Sequence, residues 1–207
     1  MKKIMFNSKY GLDDAVLEGR KTMTRRVITH PRRYKGKDIC GFYVCKNSLT
    51  KEVTGVVMHD EDERMIDEGQ IFPEYKIGEV VAIAQSYKDC GYDPNFMLDG
   101  KPISEHPGWN NKMFVKAKLM KHFIKITGVK VERLQDISDE DCLREGIKEH
   151  LKGVQYGFAS NIGYIGQYPF ATPREAFAAL IDRVSGKVSW ESNPWVWVYE
   201  FELVKNK

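Results

Sequence analysis

The 207-residue chain is 42% hydrophobic and 29% charged, with a formal net charge of +3, the balance of an ordinary globular protein large enough for a proper core. No run approaches the ~18 apolar residues that a membrane span needs. Met1-Lys2-Lys3 is followed only by Ile4-Met5-Phe6 before Asn7, which is too short for a signal peptide's apolar region, so a cytoplasmic protein with no membrane partner is expected.

In chain order, residues 3–6 read as a short strand, and Leu12, Ala15 and Val16 recur at helical spacing over 12–18. Gly19 supplies the helix stop and opens a basic turn, Gly19-Arg20-Lys21-Thr22-Met23-Thr24-Arg25-Arg26. Residues 39–49, rich in Val, Phe and Tyr, and residues 53–58 read as strands. The charged stretch 59–69 reads as a surface turn or short helix. Tyr75–Glu79 form a turn into a buried strand, 80–84, whose continuous apolarity predicts packing on both faces. The 88–111 segment is dense in Gly, Pro, Asp and Asn, with Tyr92, Phe96 and Trp109 interspersed. It is expected to be an ordered insertion folded over the body, with Trp109 buried.

Residues 113–120 and 123–133 are read as further strands. Ser138, with Asp141 three positions on, starts a second helix that Gly146 should end. Thr172-Pro173-Arg174-Glu175 combines a cap, a first-position proline and a third-position glutamate. The apolar stripe that follows (Ala176, Phe177, Leu180, Ile181, Val184) closes at Gly186. The glycine- and aromatic-rich segment 153–167 should be loop. Residues 195–203 alternate with period two, their aromatic side facing the core. Many strands with few, separated helices predict a mainly β, α+β domain closed as a barrel rather than a βαβ sheet.

Charge is unevenly spread. Residues 19–37 hold eight basic side chains and no acidic one, whereas 60–79 hold eight acidic and two basic ones. Such polarity suits an anion-facing surface, or equally two solvated loops that balance one another. Cys40, Cys45, Cys90 and Cys142 lack zinc-type spacing, and the five histidines are scattered. Reduced thiols and no structural metal are expected, with Cys40 and Cys45 buried or half-buried in a strand.

The turn Gly19-Arg20-Lys21-Thr22-Met23-Thr24 matches the Gly-x-Lys-x-x-Thr signature of the ASCH family, relatives of the PUA RNA-binding barrels. The rest of the chain resembles that family's longer phage and prophage-like members. The blocks that carry the resemblance are Tyr75–Val80, Val129–Ser138 continuing through Glu145-Gly146-Ile147, and Trp190 with Asn193-Pro194-Trp195 onward. Together they imply a single ASCH/PUA-like domain over 1–207, with a loop insertion around 88–111 and a cleft beside the first helix. One departure stands out: where larger members carry Arg and Glu in and after the central strand, this chain has Ala84 and Gln85.

Three functions are then weighed. The first is binding of RNA, another single-stranded nucleic acid or a modified nucleoside in the basic cleft. Arg20, Lys21, Arg25 and Arg26 would hold phosphates, Thr22, Thr24 and Gln85 would sit against the ligand, and Tyr156, Phe158, Tyr164 and Tyr168 would stack on bases or pin their own loop. The second follows from small family members that remove the acyl group from N4-acylated cytidine. By that resemblance Lys21, Thr24 and Glu145 would be the catalytic residues of an amidohydrolase. The third is a catalytically inert protein that binds a protein partner. None of the three requires a metal or organic cofactor.

Overall fold

The computed structural model describes residues 1–150, 153–159, 169–186 and 189–204. In chain order the strands are β1 (Lys3–Ile4), β2 (Met23–Val27), β3 (Arg33–Tyr34), β4 (Lys37–Asp38), β5 (Gly41–Lys46), β6 (Val53–His59), β7 (Met65–Ile71), β8 (Val80–Ile83), β9 (Met97–Leu98), β10 (Lys101–Pro102), β11 (Phe123–Arg133), β12 (Lys148–His150), β13 (Gln155–Gly157) and β14 (Trp195–Leu203). Three α-helices accompany them: α1 (Leu12–Leu17), α2 (Asp139–Arg144) and α3 (Pro173–Ser185). The architecture is mainly β with few helices, and no described helix is long and apolar enough to cross a membrane.

Five strands form the central sheet in the order β1-β8-β11-β14-β2, antiparallel except for the β1–β8 pair. β5, β6 and β7 form a second, antiparallel sheet, and one apolar core runs through both, joining Phe42, Val56 and Ile66 to Ile126 and Val198. The described strands do not close into a barrel: β1 and β2 are the edges of the central sheet. What joins their ends is a side chain, the Arg26 guanidinium, whose Nη2 donates to the Met5 carbonyl at 2.5 Å.

β14 lies between β11 and β2, and both of its faces are buried: Trp197, Tyr199 and Phe201 on one, Val196 and Val198 on the other. Alternation had assigned only the aromatic face to the core. The valine face is covered as well: Val196 and Val198 are fully buried and belong to the main apolar core. α3 begins as its sequence dictates. Thr172 Oγ1 accepts from the Glu175 amide, the Glu175 carboxylate accepts from the Thr172 amide, and Ala176, Phe177, Leu180 and Ile181 are buried.

Several segments differ from expectation. The stretch 59–69 is a turn only at 61–62; from Met65 it is β7, a largely exposed strand anchored to the core by Ile66 and the half-buried Ile71. Residues 113–120 form two 3-10 turns, Lys112–Phe114 and Ala117–Leu119, not a strand. Lys3 Nζ occupies the Lys112, Met113 and Val115 carbonyls there, which leaves no ladder to build. Part of 153–167 is strand, with β13 pairing β12. Cys40 is exposed and Cys45 half-buried, and all four cysteines are free. The basic and acidic segments partly neutralise each other, through Lys35–Glu68 at 2.8 Å and Lys37–Asp60 at 2.6 Å.

The 88–111 insertion is ordered. It folds into the β9–β10 hairpin and 3-10 turns, and with Tyr87, Val115 and Met120 it builds a satellite core on Ala82 and Ala84. Ala84, buried just after β8, forms part of the floor on which the insertion packs. Trp109 packs partly buried against this satellite core.

Candidate functional site

The site starts from a tight reversal after α1. Gly19 takes a left-handed φ of 75°, which glycine adopts without a Cβ penalty. The Arg20 and Lys21 amides then both donate to the Ala15 carbonyl, at 2.9 and 2.8 Å. The next residues are stitched to the end of α2: Thr22 N donates to the Arg144 carbonyl at 2.9 Å, and Arg144 Nε donates to Thr22 Oγ1 at 3.3 Å. Gly146, at φ 104°, closes α2 with its Cα against Leu12, Ala15 and the Lys21 stem. Thus Lys21 and Glu145, one residue into each reversal, are turned toward each other.

Lys21 Nζ lies 2.5 Å from Glu145 Oε2 and also donates to the Glu145 carbonyl at 2.8 Å. Both side chains are buried, at 2% and 5% exposure. Burial pushes the Lys21 pKa below the ordinary lysine value; Glu145 opposes that shift, and Arg26 and Arg25 add to it. The other Glu145 oxygen, Oε1, accepts from Arg25 Nη1 at 3.2 Å.

Arg25 leaves β2 and crosses over β14, where its register partner is the compact Val198, to reach three carboxylates. Its Nη2 is 2.6 Å from Glu132 Oε1 and 3.0 Å from Asp141 Oδ2, and its Nε donates to Glu132 at 2.9 Å. Burial works against its charge, but Glu145 and Glu132 outweigh it and raise its pKa. Lys130 and Arg144 complete the network on Asp141. Burial also opposes ionisation of Asp141, yet hydrogen bonds from Arg25 hold its carboxyl below the usual value. Every donor direction of Arg25 therefore points at the protein itself, so the residue builds the site and is not available as a phosphate fork.

Lys21, Thr24, Arg25, Arg26 and Glu145 line one cavity of about 500 Å³. Its apolar walls come from Phe6, Leu12 and the α3 stripe (Phe177, Leu180, Ile181, Val184), and Ser185, Ser189, Ser192 and Asn7 add hydroxyl and amide groups. The Thr24 hydroxyl has no hydrogen-bond partner among the described residues. A volume of this size suits a nucleoside-sized molecule.

The other predicted residues lie elsewhere. Arg20 pairs with Glu18 at 2.6 Å and faces a different surface groove with Arg144 and Lys148. Thr22 is consumed by the stitch to α2. Gln85 accepts a weak 3.9 Å contact from Cys90 Sγ and does not reach the cavity. Phe158 packs edge-on to Tyr10 and stacks on Phe170 under Arg183, and Tyr156 bridges to Phe170. Both pin their own segment and neither lines the cavity. Tyr164 and Tyr168 lie outside the described residues. The 88–111 insertion contributes no cavity-lining residue either.

Sequence reading passed over Glu132 and Asp141, although the first stands on the polar face of an alternating strand and the second in a helix's first turn. It also took the α3 stripe as core alone, when part of it walls the cavity. No group of histidine, cysteine or carboxylate side chains among the described residues is arranged to hold a metal ion. The chain matches no family model, and no curated protein or solved structure aligns with it significantly.

Proposed function

We propose that this chain is an ASCH-type, PUA-like amidohydrolase that cleaves a small amide, with N4-acylated cytidine as the reference substrate. The observation that supports the reading is the convergence on one half-open cavity of a buried Lys21 whose pKa is lowered, its partner Glu145 and a Thr24 hydroxyl without a hydrogen-bond partner among the described residues. These are the three residues to which the ASCH resemblance assigns catalysis; Lys21 and Thr24 come from one turn, and Glu145 lies 124 residues from Lys21 in the chain.

In the proposed reaction the neutral Lys21 amine takes the Thr24 hydroxyl proton as Oγ1 attacks the acyl carbonyl. A C–O bond forms and the carbonyl π pair moves onto oxygen. Collapse of that intermediate breaks the C–N bond, and the proton on Lys21 passes, guided by Glu145, to the departing exocyclic amine. Water then hydrolyses the acyl-Thr24 ester with Lys21 again as base, which releases the carboxylic acid and restores the hydroxyl.

A second reading is retained on one specific observation. The 2.5 Å Lys21–Glu145 contact also suits a pair that keeps its proton on lysine, and then the cavity would bind a modified nucleoside, free or within RNA, without cleaving it. Hydrolysis of N4-acetylcytidine by the purified protein, with Lys21→Ala as the paired control, separates the two. Turnover lost in the variant supports the enzyme; no turnover, or turnover equal in the variant, overturns it.

A further inference from the structure

The cavity does not end at Arg26. Met5, Phe6, Asn7, Arg26 and Val184 are shared with an adjoining, more open recess of about 440 Å³, whose remaining walls are Ser8, Lys9 and Lys112. Three cations therefore ring the annex, and they are poorly compensated. Arg26 forms no ion pair with any carboxylate among the described residues, in contrast to Arg25 beside it with three. Lys9 is exposed and has only the Tyr10 ring, at 5.6 Å, beneath its ammonium. Lys112 is fixed by donating to the Phe6 carbonyl and, at 2.8 Å, to Ser8 Oγ, with Asp13 as a distant counter-ion at 4.0 Å.

Lys112 arrives on the 3-10 turn that follows the insertion, and Lys3 holds that turn against β1. The insertion thus serves the site from the side, by delivering a cation, and not as a lid. A half-buried arginine with no counter-ion, facing two lysines across a recess, is a place where a compact dianion replaces lost hydration with charge-assisted hydrogen bonds.

We infer that the annex is a phosphate subsite, and that the ligand of the neighbouring cavity is a nucleotide whose sugar carries a phosphate monoester held by Lys9, Arg26 and Lys112. This rests on the proposed use of the cavity for a cytosine nucleoside and adds the chemical class of its substrate. A monoester fits better than a strand of RNA: the three cations gather at one recess of about 440 Å³, and the described aromatic residues expected to stack on bases, Tyr156 and Phe158, lie outside both cavities.

The test is calorimetric binding of cytidine and cytidine 5′-monophosphate, which would be products of the reaction and so report on the subsite whether or not the protein turns over. The wild-type protein should bind the monophosphate about tenfold or more tightly than cytidine, as expected for charge-assisted contacts, with the gap narrowing as salt is raised. Lys9→Glu should bring the two affinities to near equality. Lys46→Glu, the same charge change on exposed β5 in the other sheet, should leave the preference in place. Lys112→Met checks the third cation, with Lys9→Glu decisive if that variant disturbs the insertion. Equal binding by the wild type, or equal losses in Lys9→Glu and Lys46→Glu, would overturn the subsite. A cytidine dinucleotide that bound more tightly than the monophosphate would overturn the monoester assignment. Failure to hydrolyse N4-acetylcytidine would remove the hydrolytic reading alone.

Discussion

Lys21 and Glu145 are 124 residues apart in the chain and 2.5 Å apart in the fold, and neither has water to fall back on. An ion pair so withdrawn adds little net stability compared with an apolar pair of the same volume, but removing one partner strands the other. The two ends of the pair are not equivalent. Without Lys21, Glu145 still faces Arg25; without the Glu145 carboxylate, Lys21 keeps that residue's backbone carbonyl and the Phe6 ring 5.8 Å away, with no opposite charge.

Glu145→Gln should therefore destabilise the protein at neutral pH by about 3–5 kcal/mol, a fall in Tm of roughly 10 °C for a chain of this length. The sign with pH follows from the lowered Lys21 pKa. The penalty for burying the ammonium is complete below the folded-state pKa and is relieved as pH rises toward the ordinary lysine value of about 10.4. Thermal melts of wild type and variant between pH 7 and pH 10 should converge, and a constant gap would show that titration of Lys21 does not set the difference.

Thr24 separates chemistry from architecture. Its hydroxyl supports no described hydrogen bond, so Thr24→Val should fold with a Tm close to wild type while losing about 10³-fold or more in kcat for N4-acetylcytidine. Thr24→Ser keeps the nucleophile and should retain measurable turnover. Equal activity in Thr24→Val would remove the acyl-enzyme step.

Asp141 links the site to acid stability. Its folded pKa lies below the ordinary value, so the stability it supplies is present above about pH 4 and is lost as pH falls through the folded pKa. Chemical denaturation from pH 5 to pH 2 should show a shallower loss for Asp141→Asn than for wild type, from a lower starting stability. Identical slopes would place the titrating group elsewhere.

The cysteines offer a packing test. Burial pushes the Cys142 thiol up to about 12, and that of Cys90 also rises, whereas Cys40 is exposed. Mass spectrometry of the protein labelled with a thiol reagent at pH 8 should find Cys40 modified first, with Cys90 and Cys142 modified only on unfolding. Early labelling of Cys142 would mean that α2 opens readily and with it the carboxylate side of the site.

Where local chemistry sets an element, the sequence was sufficient. The Thr172 and Ser138 caps, the β11 alternation and the Gly19 reversal are each written within a few neighbouring residues. These signals place Lys21, Thr24 and Glu145 at the ends of elements, but it is the resemblance to the ASCH signature that singles them out. What escaped reading depends on strand order. Nothing near Arg25 in sequence shows that Glu132 lies across β14 from it, and nothing near Lys112 shows that it reaches the Phe6 carbonyl. β7 was missed because its core contacts are confined to Ile66 and Ile71 among exposed polar residues, and the 113–120 turns were missed because a distant lysine, Lys3, takes up backbone carbonyls there.

The position of β14 has a consequence for biosynthesis. β2, which carries the site's threonine and both arginines, has no other strand partner among the described residues. Until β14 has been made and has left the ribosome, β2 has no sheet to join. The pocket therefore assembles by a pairing of large sequence separation, which is intrinsically slow. A product cut short before Trp195 would thus carry the whole Gly19–Arg26 turn and still have no site.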